Sequence, residues 1–199
     1  MKRVVLASGN AGKLAEMRAI LAGHGLEVIP QGELGITPPV EDGASFVANA
    51  LIKARHAAAG AGLPAIADDS GLEVDALAGR PGIHSARYSG PAATEAGNNA
   101  LLLAELAAIP DERRSARYRC AMVFVRFAAD PHPVVAEAAW EGRIGREPRG
   151  TGGFGFDPLF VVDGDGGTAA ELPAREKNRM SHRGQALSAL AARMRETGW

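Results

Sequence analysis

Three stretches of the chain combine residue types that could handle an anionic ligand. The first is LASGNAGKLAEM at 6–17, where an apolar run feeds a turn of small residues, a lysine and a helix-like pattern. Ser8, Gly9, Asn10, Ala11 and Gly12 bring N–H groups to a helix start, with Asn10 as N-cap and Lys13 in the first turn, which makes an anion site. A P-loop of the form GxxxxGK[ST] is excluded, because Ala7 stands five before Gly12 and Leu14 follows Lys13. Both its first glycine and its metal-binding hydroxyl are missing. By itself the fragment also reads as a tight turn followed by a surface lysine.

The second stretch supplies carboxylates. Asp68 and Asp69 close the apolar run Pro64–Ala67, and Glu41 lies in a loop punctuated by Pro38 and Pro39. A hard cation such as Mg²⁺ prefers oxygen ligands and is commonly held by one or two carboxylates plus substrate phosphates. Taken separately, Glu41–Asp42 reads as a solvated loop and Asp68–Asp69 as a cap or turn. Adjacent aspartates ending an apolar strand fit a ligand site better, since open α/β sheets place ligands at strand C-termini. Lys53 lies one helical turn from Asn49 and adds a cation that alone would be a solvated surface lysine.

The third is GTGGFGFDP at 150–158. Phe154 sits between glycines, where its ring has little local packing and could stack on a base, a contact of ~1–3 kcal/mol in nucleic-acid binders. The competing reading is a core plug. Ser181 is placed as the N-cap of a last helix, which puts His182 and Arg183 in its first turn, suited either to an acceptor-bearing ligand or to the surface.

The elements carrying these residues follow from periodicity. Lys2–Ala7 reads as a buried strand, and Leu14, Met17 and Leu21 share one face of a helix from Ala11 to about Ala22. Phe46, Ala50, Ala54 and Ala57 mark a second helix with Asn49 and Lys53 on another face. Pro64–Ala67 is expected to be a short strand ending at the aspartates, AGRPGIHSARYSGP an irregular loop, and 101–108 a helix. Tyr118–Phe127 and Val134–Trp140 suggest an antiparallel pair, Leu159–Val162 a short strand, and Leu187, Leu190 and Met194 a C-terminal helix. The expectation is one mixed α/β domain over 1–199.

The composition narrows the partners. The 22 basic and 23 acidic side chains of the 199 residues nearly cancel, so no overall field favours a nucleic-acid polymer or an anionic membrane. Cys120 is the only cysteine, which rules out an internal disulfide. VVLA is far too short for a secretory or membrane segment, and a cytoplasmic protein is expected.

SGNAGK at 8–13, ADDSGL at 67–72, GGFGFDPLF at 152–160 and EKNRMSHRGQAL at 176–187 together resemble the inosine/xanthosine triphosphate pyrophosphatase family. The likeness runs in order from residue 4 to about residue 190. It implies an elongated α/β fold with a mixed central sheet flanked by helices, two lobes with the active-site cleft between them, a Mg²⁺ requirement and a homodimer. It also implies hydrolysis of ITP, dITP and XTP to the monophosphate and pyrophosphate. Carried onto this chain, residues 8–13 would hold the triphosphate with Lys13 and Lys53 as cationic partners. Glu41 and Asp69 would bind Mg²⁺, Asp69 would also act as general base, and Ser70 would lie against the substrate. Phe154, Gly155, Phe156 and Asp157 would line the base pocket, and Lys177, Ser181, His182 and Arg183 would close over it. Arg183, a donor-only cation, would meet the 6-carbonyl of hypoxanthine and oppose the amino group of adenine. Phe156 stands where the family commonly has tyrosine or tryptophan, and His84 where it often has an aromatic residue. The rival readings are a pyrophosphatase for pyrimidine or other modified triphosphates and a nucleotide-binding regulator without hydrolysis.

Overall fold

A computed structural model describes residues 2–22, 24–164 and 166–199. Strand β1 (Lys2–Leu6) leads to helix α1 (Ala11–Leu21), strand β2 (Leu26–Pro30) and helix α2 (Phe46–Ala61). Strand β3 (Ala65–Val74) and helix α3 (Glu95–Glu105) follow, then strands β4 (Ser115–Val125), β5 (Val134–Ile144) and β6 (Phe160–Val162), and helices α4 (Ala174–Met180) and α5 (His182–Glu196). The strands form a mixed six-stranded sheet in the order β2-β1-β3-β4-β5-β6. β1 runs parallel to β2, with Val4 opposite Val28, and parallel to β3, with Leu6 opposite Ile66. β6 is antiparallel to β5, with Gly142 opposite Val162. No helix among the described residues is long and apolar enough to cross a membrane.

The chain divides into two compact units, the first comprising 1–69, 120–138 and 182–199 and the second 70–119 and 139–181. In the first unit β1 is buried on both faces, which explains its unbroken apolar run. Val4 and Leu6 point to Met17 and Leu21 of α1 and to Leu187, Leu190 and Met194 of α5, together with Ile66, Met122 and Phe124. Val5 and Ala7 point the other way, to Ala50, Ala54, Ala57 and Ala58 of α2 and to Ala65 and Ala67. The alanine face lets α2 lie close to the sheet. Each fully buried leucine of α5 contributes about 1.5–3 kcal/mol of transfer free energy.

In the second unit Leu72, Val74, Leu102, Leu106, Trp140, Phe160 and Val162 form the core. Tyr118 packs on Phe160 with centroids 4.6 Å apart. Thr94 caps α3 by accepting from the Gly97 N–H at 3.1 Å.

The helices of the first unit lie where periodicity placed them. Helix α3 runs Glu95–Glu105 where a helix over 101–108 is expected, and three further features differ. β3 does not stop at the aspartates but continues to Val74, because Leu72 and Val74 resume the period of two and are fully buried. Asp68 and Asp69 are therefore mid-strand. β2 and α4 were not anticipated: β2 is only five residues long, and AREKNRM buries only Lys177, so it lacks an apolar stripe. The Gly/Pro-rich segment expected as irregular contains a 3-10 turn at Gly82–Arg87.

The eight-residue link from β4 to β5, 126–133, is too short for a parallel crossover and joins neighbouring strands as an antiparallel pair. Asp130, 1% exposed, organises it by accepting from the Arg126 backbone N–H at 2.9 Å, the Arg126 side chain and the His132 N–H at 3.0 Å. Hydrogen bonds from Arg126 hold its carboxyl well below the usual aspartate range. Such a depressed group contributes stability above its unfolded pKa, and the contribution is lost as pH falls through the folded pKa. Asp130→Asn should therefore lower stability near neutral pH by about 1.5–3 kcal/mol. The Tm difference between the two proteins should shrink as pH falls below about 4. A difference independent of pH would exclude this role for Asp130.

Candidate functional site

Side chains alternate along a strand, so adjacent aspartates in β3 must face opposite sides of the sheet. Ile66 belongs to the face covered by α1 and α5, and Ala65 and Ala67 to the face covered by α2. By register, Asp68 goes with Ile66 and Asp69 with Ala67. Their partners agree.

On the α1/α5 face, Lys13 Nζ is 3.0 Å from Asp68 Oδ2. Asn10 fixes the start of α1, its side chain accepting from the Lys13 N–H at 2.9 Å while the Ser8 hydroxyl accepts from the Asn10 N–H at 3.2 Å. Gly9, Asn10 and Ala11 are exposed, so this turn is open to an anion. Arg183 donates to Asp68 Oδ2 from Nε at 3.4 Å and from Nη1 to Glu16. Burial works to raise the Asp68 pKa, but Lys13, Arg183 and Lys53 outweigh it and hold the carboxyl well below its ordinary range. Burial likewise works to lower the Arg183 pKa, and Asp68 and Glu16 reverse it.

On the α2 face, Asp69 accepts from Asn49 Nδ2 at 3.1 Å and from Lys53 Nζ at 3.2 Å. Lys53 Nζ also donates to Glu41 Oε2 at 2.9 Å. Asn49 is held in turn by the Gly43 N–H, 2.8 Å from its Oδ1. A Cβ on Gly43 would lie 2.6 Å from that oxygen, so the glycine is required for the approach. Burial raises the Asp69 pKa, and Lys53 and Lys13 offset this only in part. Burial also works to lower the Lys53 pKa, but Asp68, Asp69 and Glu41 prevail and raise it.

The two faces differ in charge balance. In these contacts Lys13 and Arg183 match Asp68 and Glu16, whereas Lys53 alone answers both Glu41 and Asp69. The surplus negative charge and the hard oxygen donors suit a divalent cation. Among the described residues no group of three or more His, Cys, Asp or Glu could hold a metal ion. Glu41 and Asp69 would thus need oxygens from a ligand or water to complete a coordination shell.

In the second unit Asp157 is the centre of a different arrangement. Its Oδ2 accepts from the Phe154 N–H at 2.8 Å and from Lys177 Nζ at 2.6 Å, and its Oδ1 accepts from the Tyr118 hydroxyl at 3.1 Å. Lys177 Nζ stands 5.0 Å from the Phe154 ring centroid. Phe154 and Gly155 are half-buried. The group offers a flat aromatic surface, a cation and a carboxylate, which suits a planar ligand bearing both N–H and carbonyl groups.

Several sequence expectations change in detail. Phe156, expected to line a base pocket, is 4% exposed and belongs to the core, packed edge-on against Tyr88 at 6.4 Å. Its ring packs within the leucine-rich interior, while Phe154 is half-buried. Arg183, expected to face the base, pairs with Asp68 and Glu16. Ser181 and His182 are both buried, Ser181 ending α4 through its N–H to the Lys177 carbonyl at 2.8 Å. Ser70 is half-buried in β3 after Asp69, and His84 is exposed. Glu16, Gly43 and Tyr118 were not singled out from sequence. Glu16 is detectable only as a carboxylate one turn beyond Lys13, and Tyr118 reads as an ordinary strand aromatic.

The Ham1 family model matches residues 4–193. The chain is 60% identical over 194 residues to the dITP/XTP pyrophosphatase of Methylococcus capsulatus, covering 98% of this chain and 96% of the relative. It is 52% identical over 195 residues to that of Escherichia coli, covering 98% and 99%. A solved HAM1 protein from Coxiella burnetii superposes with a TM-score of 0.90 at 48% identity, over 98% of this chain and all of that one.

Gly153 and Gly155 both adopt left-handed backbone, at φ 71° and 64°, but differ in surroundings. A Cβ on Gly153 would lie 2.1 Å from Asp157 Oδ2, whereas one on Gly155 would meet nothing within 4 Å. Gly155→Ala should cost only the backbone strain of about 1–2 kcal/mol. Gly153→Ala should cost more, because Asp157 must also give up its position. Urea unfolding of the two variants tests this, and equal losses would show that Asp157 is not held as described.

Proposed function

The chain belongs to the Ham1 family, and on that premise we propose that 1–199 acts as one nucleoside triphosphate pyrophosphatase domain. It converts ITP, dITP and XTP to the nucleoside monophosphate and pyrophosphate. The names of the relatives support the substrate class. The observation that carries the reaction type is the set Asp69, Asn49, Lys53 and Glu41, the first three buried and Glu41 half-buried, a carboxylate pair sharing one lysine.

The start of α1, residues 8–13, receives the phosphate chain, with Lys13 supplying a point charge to its oxygens. Lys53 neutralises further phosphate charge while keeping Glu41 and Asp69 in place. Glu41 and Asp69 would hold Mg²⁺, which when bound supplies charge neutralisation at the phosphate oxygens. Asp69, oriented by Asn49, accepts the proton of a water directed at the α-phosphorus. Catalysis is then positioning and electrostatics, and no covalent intermediate on the chain is needed.

Phe154, Asp157 and Lys177 serve the base. Phe154 offers a stacking face, and Lys177 a donor to a purine carbonyl. Asp157 has three donors on a carboxylate with about four acceptor sites, which leaves capacity for a ring N–H. Adenine lacks both the carbonyl and the N–H at these positions and is rejected. Arg183 positions Asp68 and, through it, Lys13. The family resemblance supports a homodimer acting in the cytoplasm.

Asp69→Asn keeps the shape of the side chain but removes the proton acceptor and a full charge. Its kcat on ITP should fall by at least ~10² while Tm shows a folded protein. Near-normal turnover would exclude Asp69 as base. Chelation of divalent ions should abolish activity and Mg²⁺ restore it. The first products should be IMP and pyrophosphate, and inosine diphosphate as an early product would show that attack occurs elsewhere on the phosphate chain.

A further inference from the structure

Two adjacent asparagines in α3 reach different segments of the second unit. Successive helical residues are turned by about 100°, so neighbours cannot serve the same contact. Asn98 is buried and ties α3 to 85–89: its Oδ1 accepts from the Ser89 N–H and hydroxyl, each at 2.8 Å, and its Nδ2 donates to the Ser85 and Ala86 carbonyls at 3.3 Å. Asn99 is turned to the glycine-rich segment, where its Nδ2 donates to the Gly155 carbonyl at 3.0 Å.

Gly155 follows Phe154 directly and adopts φ 64°, a conformation with little intrinsic preference for one orientation in glycine. Phe154 is therefore held on one side by its own N–H to Asp157, at 2.8 Å, and on the other by the Asn99 hold on Gly155. Beyond Gly155, Phe156 is anchored in the core against Tyr88. The Asn99 Oδ1 atom is buried with no hydrogen-bond partner among the described residues. An apolar side chain would avoid that unmatched oxygen, so packing alone gives no reason for an amide here.

We propose that Asn99 is a positioning residue for base recognition, fixing the Gly155 carbonyl so that the Phe154 ring is presented at one orientation. This rests on the assignment of Phe154, Asp157 and Lys177 to the base. Asn99 touches no reacting atom, so it acts on substrate affinity and leaves the chemical step alone.

The test is steady-state kinetics on ITP with full-length protein, using Asn99→Asp, which keeps the shape without the donor, Asn99→Gln, which keeps the donor, Phe154→Ala, and the Asn99→Asp/Phe154→Ala double variant. One lost hydrogen bond corresponds to roughly a threefold to tenfold rise in KM for Asn99→Asp, with kcat changed less than about twofold. Asn99→Gln should recover part of the KM. In the Phe154→Ala background the Asn99 replacement should have little further effect, because the two act through one contact. An unchanged KM in Asn99→Asp, an equal factor with and without Phe154, a change in kcat alone, or failure of both single Asn99 variants to fold would overturn the proposal. If Phe154→Ala itself leaves the KM for ITP unchanged, the base assignment falls and this proposal falls with it.

Discussion

The period of two along β3 is the constraint on which the candidate site depends. It sends two adjacent, chemically identical aspartates into different surroundings, one facing α1 and α5 and the other facing α2. Asp68 meets Lys13 and Arg183 and is held charged, while Asp69 meets Asn49 and Lys53 with its pKa raised by burial. The same pair in a loop or at a strand end would have had no such division imposed. A one-residue slip in the register of β3 would exchange their roles, and the buried alanine and isoleucine positions before them prevent it.

Charge then sorts the functions of the two faces. On the Asp68 side the cations and carboxylates match, and the result is a preorganised lysine beside the exposed start of α1. On the Asp69 side one lysine serves two carboxylates, an imbalance that suits a divalent cation. Buried ion pairs are weak sources of stability, since desolvation offsets much of the attraction.

The second unit uses backbone geometry where the first uses strand alternation. Glycines at 153 and 155 take left-handed conformations, and the absence of a Cβ at 153 lets Asp157 reach the Phe154 N–H. Asp157 gathers the Phe154 backbone, Lys177 and Tyr118 on one carboxylate, and α3 holds the segment through Asn99. Flexible residue types are thus made specific by tertiary hydrogen bonds.

Much of this was legible from residue order because it is local. The β1–turn–α1 start, the Asn10 cap, Lys13 in the first turn, and Asn49 with Lys53 on one side of α2 follow from short-range periodicity and capping, and the four motifs are sufficient to identify the family. Local patterns do not reveal where a strand ends when the next apolar residues resume its period, so Asp68 and Asp69 read as terminal although they are mid-strand. Nor do they reveal partners distant in sequence: Glu16 meets Arg183 across 167 positions, and Asn99 meets Gly155 across 56. Phe154 and Phe156 are the same residue type two positions apart in one glycine-rich segment, and only the packed core decides that Phe156 is interior while Phe154 remains half-buried. The reason is the same in each case: residue type sets what a side chain can do, and the neighbours that folding brings to it set which of those things it does.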